Sequence, residues 1–133
     1  MARRLASVAF LAPDYDSAIA WFCQALGFEL IEDSDLGAGK RWVVVAPDRY
    51  TGARFVIAKA DDARSLAAVG EAAGGRVAYF LETDDFFRDY EAFTQRGVKF
   101  LEAPRREPYG TVAVFADPFG NKWDLIETAE RRR

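Results

Sequence analysis

Short apolar runs alternate with glycine, proline and aspartate along this chain, and their spacing switches between that of strands and that of helices. Leu5 to Leu11 is an apolar run stopped by Pro13, which predicts a strand. Ala18, Ile19, Phe22, Cys23 and Leu26 recur at helical spacing, after Asp14 or Asp16 as the cap and before Gly27 as the stop. Strands are then expected at Phe28–Glu32, Lys40–Ala46 and Arg54–Lys59, with a polar glycine loop over Asp33–Gly39 and a turn over Pro47–Gly52. Asp61-Asp62 caps a short helix, about Ala63 to Ala73, and Gly74-Gly75 breaks the chain. The pattern starts again with a strand at Arg76–Glu82. A helix follows, capped by Thr83-Asp84-Asp85, with Phe86, Tyr90 and Phe93 on one face and Gly97 at its end. A strand at Val98–Leu101 and a loop at Pro104–Tyr109 lead into a final strand, tight turn and strand.

That last stretch, Gly110 to Glu127, organises the rest. Asp117-Pro118 opens its turn and Gly120-Asn121 closes it. Asp124 lies between Trp123 and Leu125, and strand neighbours point to opposite faces. With Trp123 and Leu125 in a core, Asp124 faces a second surface, where function is to be sought. The corners Gly27-Phe28 and Gly97-Val98 each end a capped helix and begin a strand. The chain therefore reads as two copies of strand–helix–strand–strand–strand: module one at about residues 1–60, a connector at about 61–75 and module two at about 76–128. The fold class is α+β, two βαβββ modules in a curled mixed sheet with helices outside. Each copy has an apolar sheet face larger than one helix can cover, so the copies pack together or with a second chain.

Composition narrows the chemistry. A length of 133 residues suits one domain with its own core. The net charge of −3, with cations spread along the chain, argues against nucleic acid. Arg131 to Arg133 form a short basic tail, expected to be solvated. The first residues resemble a secretory leader superficially, but their short apolar run is better used as a strand, and no run is long enough for a membrane span. A single cysteine allows no intrachain disulfide; a cytoplasmic setting and a packed core thiol are expected. The absence of histidine removes Ser-His-Asp and Cys-His catalysis and the imidazole ligands of most transition-metal sites. The carboxylate pairs Asp14/Asp16, Asp61/Asp62 and Asp84/Asp85 all precede helices and read as caps. Gly37-Ala-Gly-Lys40 is too incomplete for a phosphate loop.

Three pieces carry a family resemblance: Pro13-Asp14-Tyr15-Asp16 through Trp21-Phe22 to Leu26-Gly27-Phe28-Glu29-Leu30, then Asp84-Asp85 to Gly97-Val98, then Phe115-Ala-Asp-Pro-Phe-Gly-Asn121 before Trp123-Asp124-Leu125. Their order and distances resemble the vicinal oxygen chelate superfamily, which groups glyoxalase I, extradiol dioxygenases, and fosfomycin and bleomycin resistance proteins. The resemblance spans nearly the whole chain. It implies paired βαβββ modules forming a cup open to ligand, and a homodimer. Metal-dependent members hold a divalent ion with four side chains. The matching positions here are Ser7, the segment about Ile57 to Lys59, the neighbourhood of Ala78, and Asp124. One usual ligand survives, so the resemblance implies a member without a conventional metal and without a predicted cofactor. A divalent metal held by Asp124 with Glu82 or Glu102 is the variant left open.

Three functions then compete. In the first, the cup binds a small aromatic or amphipathic molecule, as in the bleomycin resistance branch, with Trp42, Phe80 and Tyr109 as contacts and Arg41 and Arg106 as partners for an anionic group. In the second, the chain is a lyase, isomerase or dioxygenase relative, with Asp124 as base and Ser7 or Tyr109 donating to an oxyanion. In the third, it is a purely structural dimeric module whose cup is filled by its own side chains.

Overall fold

The structure is a computed structural model that describes residues 2–129; the basic tail lies outside the described residues. The chain divides into two compact units between Val69 and Gly70.

The first unit holds β1 (Ser7–Ala12), α1 (Tyr15–Ala20), a π-helical turn (Trp21–Ala25), β2 (Glu29–Gly37), β3 (Lys40–Ala46), β4 (Arg54–Lys59) and α2 (Ala63–Ala68). Its sheet runs β1-β4-β3-β2, with β1 parallel to β4 and the other pairs antiparallel. Asp14 caps α1, its Oδ1 accepting from the Ser17 amide at 2.7 Å. The helical stripe delivers Phe22 onto Phe10, edge to face at 4.9 Å between ring centres, with Phe28 and Phe55 closing the cluster. The helix is not α-helical to Leu26. It widens after Ala20, and the Leu26 amide donates to Trp21 O at 3.4 Å, five residues back.

Module two repeats the order. β5 (Val77–Glu82), α3 (Phe86–Gln95), β6 (Lys99–Phe100), β7 (Arg105–Glu107), β8 (Gly110–Ala116) and β9 (Lys122–Thr128) follow one another. The sheet runs β5-β9-β8-β6, with β5 parallel to β9, and β7 also pairs with β8. Parallel outer strand, then antiparallel neighbours: the topology matches the first sheet strand for strand, apart from β7. Asp85 caps α3, and Glu127 Oε1 accepts from the Phe86 amide at 2.7 Å, so a side chain of β9 satisfies a second open helix donor. Phe93 packs on Phe115, and Phe115 stacks on Trp123 at 5.6 Å.

Three elements differ from the sequence expectation. Asp33–Gly39 is not a loop: β2 continues to Gly37, and Ala38-Gly39 alone make the turn, both at positive φ. Its polar residues do not alternate with apolar ones because most of that arm is exposed, so the usual strand signal is missing. The helix expected to reach Ala73 stops at Ala68, where Val69 leaves helical ψ. Gly70 then passes against the Phe119 backbone at φ 80°, an approach that leaves no room for a Cβ. The Pro104–Tyr109 loop contains β7, which pairs Arg105 with Val112 and Glu107 with Gly110.

Candidate functional site

The turn between β8 and β9 is built around a buried carboxylate. Asp117 is 4% exposed. Its Oδ1 accepts from the amides of Phe119 and Asn121 at 2.9 and 3.0 Å. Its Oδ2 accepts from Asn121 Nδ2 and from the indole Nε1 of Trp123, at 3.1 and 3.0 Å. Asn121 Oδ1 in turn accepts from the Ala72 amide at 3.3 Å. Four donors on one carboxylate make its burial tolerable. They also fix the start of β9, so Trp123 and Leu125 enter the core at 2% and 0% exposure and Asp124 faces the other way.

On that other face Asp124 stands between Phe80 of β5 and Val114 of β8, its register partners on either side. Together with Leu101, Glu102, Lys122 and the segment Gly75–Val77 they line a cavity of about 560 Å³ within the second unit. Phe80 is 66% exposed, an aromatic ring left largely in water on the cavity wall. Glu102 follows β6, where the backbone ladder has ended, and its Oε2 accepts from the Val114 amide at 2.9 Å. Both Glu102 oxygens accept from Arg105 Nε, and Arg105 Nη1 donates to Glu107 Oε2 at 2.6 Å.

Asp124 is different. Its Oδ1 is buried and has no hydrogen-bond partner, alone in this among the side chains of the described residues. Burial pushes its pKa above the ordinary value; Arg105 pulls it back and Glu102 pushes it further up. Such a group can accept a proton or a hydrogen bond, or donate one when neutral.

The other expected site residues fall as follows. Phe80 and Asp124 come together in the cavity. Tyr109 is 53% exposed ahead of β8, and its carbonyl accepts from the Ala129 amide. Arg106 is exposed at the centre of β7, whereas Arg105 and Glu107, its alternating neighbours, are half-buried. In the first unit, Ser7 opens β1 opposite Arg54 and is exposed. Trp42 is 43% exposed opposite Ser34. Arg41 is held by Asp33 through Nε and Nη2 at 3.1 and 2.8 Å and by Asp16 through Nη1 at 2.9 Å, and it lies over the Tyr15 ring. Beside it is a cavity of about 420 Å³, lined by Asp33, Asp35, Arg41 and the turn Gly37–Gly39. Cys23 is half-buried, and burial raises its pKa, which disfavours the reactive thiolate. Leu101, Val114, Lys122 and Arg105 were not reached by sequence reasoning. Glu102 entered it only as a metal ligand. The available signal was the two-residue period of β8 and β9, which puts Val114 and Lys122 on Asp124's face once the register is known.

A divalent ion needs several convergent oxygen, nitrogen or sulfur donors. Around Asp124 the neighbours are two apolar side chains, a glutamate already bound to an arginine and an amide, and the cationic Lys122. No three Cys, Asp or Glu side chains among the described residues come together to hold a metal. This donor set does not fit such an ion.

The comparisons with known proteins agree with this architecture. The sequence model of the Glyoxalase/Bleomycin resistance protein/Dioxygenase superfamily matches residues 4–125. The chain belongs to that superfamily. Among individual relatives, an uncharacterized protein of Shewanella frigidimarina is 41% identical over 99% of this chain and 98% of its own. Of solved structures, UcmS2 superposes with a TM-score of 0.81 at 30% identity, covering 95% of this chain and 98% of that one. TnmS3, an antibiotic binding protein from Streptomyces sp. CB03234, superposes with a TM-score of 0.76 at 26% identity, covering 97% and 99%.

Proposed function

We propose that this superfamily member binds a small aromatic or amphipathic molecule in the second-unit cavity, without a metal, as a cytoplasmic homodimer. The observation that carries the reading is the cavity itself: exposed Phe80 and Leu101, with half-buried Val114, around a carboxylate whose bonding capacity the chain leaves unmet. Its volume of about 560 Å³ lies in the range of drug-sized ligand sites. The antibiotic binding of TnmS3 is a supporting likeness. An open cavity beside Phe80 counts against a purely structural module, whose interior would be filled.

The test is a thermal-shift screen of aromatic, antibiotic-like compounds on untagged protein, with elemental analysis of the same sample. Ligand-dependent rises in Tm without turnover and without stoichiometric metal are expected. Stoichiometric divalent metal, or no compound raising Tm, would overturn the reading. Light scattering at working concentration checks the dimer.

The raised pKa of Asp124 favours one alternative, a metal-independent isomerase or lyase in which Asp124 is the base. That reading requires turnover, and requires Asp124→Asn to abolish it with the fold intact.

A further inference from the structure

The cavity's chemistry is uneven from end to end, and this narrows its ligand. At the end where β5 and β9 begin, Arg76 and Lys122 line it. Neither cation has an ion-pair partner among the described residues. In the middle, Phe80 presents its exposed ring directly opposite Asp124. At the far end Glu102 and Glu107 share one cation, Arg105, so that cluster keeps one negative charge. Unpaired positive charge thus lies only at the Lys122 end, while the middle and the far end of the cavity are acidic. An arginine that could donate to Asp124 is occupied by two glutamates, and one Asp124 oxygen lacks any donor. Asp124 lines the cavity, so a donor placed there is within reach of its carboxylate, and its soft Cβ–Cγ rotation lets the two oxygens exchange places.

Resting on the reading of the cavity as a ligand site, we infer that its ligand is a flat conjugated anion that also carries a hydroxyl or N–H donor: the ring covers Phe80, the donor bonds Asp124, and the negative group lies toward Lys122 and Arg76. A purely cationic aromatic in the same orientation is disfavoured by Arg76 and Lys122 at that end. An aromatic without a donor leaves Asp124 unsatisfied and more deeply desolvated, which is costly.

The probes are a hydroxynaphthoate, the matching methoxynaphthoate, which cannot donate, and a naphthylmethylammonium cation. Binding is read by fluorescence titration of the full chain. The wild type is expected to bind the hydroxynaphthoate at least about tenfold tighter than the methoxy compound, and the cation more weakly still. Asp124→Leu should erase the difference between the first two, and Lys122→Ala should weaken both by a similar factor. Equal binding of hydroxy and methoxy compounds by the wild type overturns the inference, and that comparison needs no variant to fold. So does a preference that survives in Asp124→Leu, or tighter binding of the cation. In those cases aromatic binding itself would stand. If none of the three binds, the cavity reading fails, and this inference with it.

Discussion

Arg41 in the first unit and Asp124 in the second each stand beside a cavity on a sheet of the same topology, yet their surroundings are opposites. Arg41 has two carboxylates and an aromatic face to itself. Its cavity is the hollow of an acidic cluster in which the one cation already has its partners. Asp124 has no donor for one oxygen, and Arg105, whose charge reaches it, is bound to two glutamates. The turns preceding the last strand differ in the same sense. Between β3 and β4 the link is exposed and held by surface bonds such as Tyr50 N to Asp48 Oδ1 at 2.8 Å. Between β8 and β9 it is held by four bonds to the buried Asp117. The duplicated fold has one sheet whose cation is already paired and one whose well-held turn sets on a cavity wall a carboxylate with a buried, donorless oxygen. Unmet capacity, rather than the presence of charge or of a cavity, separates a candidate site from scaffolding.

Substitutions sharpen this contrast in order of size. Asp117→Ala should destabilise most, by about 3 kcal/mol, because it strands the Trp123 indole N–H and the Asn121 amide in the core. Urea unfolding measures it, and a loss well below 1 kcal/mol would show that the turn does not anchor β9. Gly110→Ala should also destabilise severely, since Gly110 has φ 150° and a Cβ there would strike the Glu127 carbonyl. Asp124→Leu should act in the reverse sense: ligand discrimination is lost while Tm stays level or rises, because no bond is broken and an unsatisfied group is removed.

Acid titration separates two aspartates of the second unit. The folded-state pKa of Asp124 lies above the ordinary 3.8, so the native chain holds its proton more tightly than the unfolded chain does. Its contribution to stability is therefore present below 3.8 and lost as the pH rises through the folded value. The Tm gap between Asp124→Asn and wild type should widen as the pH rises from 3.8 toward neutrality. For Asp89, burial works upward, but bonds from Arg88 and the Thr83 hydroxyl together hold its pKa below 3.8. Its contribution is present above 3.8 and lost as the pH falls, so Asp89→Asn should cost stability at neutral pH. A gap for Asp124→Asn that does not change with pH would remove the desolvation argument. The smallest effect belongs to Arg41→Ala, a surface cluster whose loss should lower Tm only slightly and leave probe binding untouched.

Much of this was legible in the chain. The aspartates before each helix are caps because a carboxylate there has few better uses, and Asp14, Asp62 and Asp85 all bond the expected amides. Asp124 could be placed on the face opposite Trp123 and Leu125 because the strand period is strict. Its neighbours could not, because they depend on register. Arg105 and Arg106 are adjacent in sequence, and which one turns toward Glu102 is decided by the pairing of β7 with β8. The arm of β2 from Asp33 to Gly37 was hidden for a related reason: exposed on both faces, it carries no alternation to read.

The central claim is that the second-unit cavity, and not the one beside Arg41, is the ligand site. Backbone amide NMR of the full chain, titrated with the hydroxynaphthoate, tests it directly. Shifts should concentrate at Phe80, Leu101, Val114, Lys122 and Asp124. Shifts centred instead on Asp33 to Arg41, or an unchanged spectrum at saturating probe, would contradict the account.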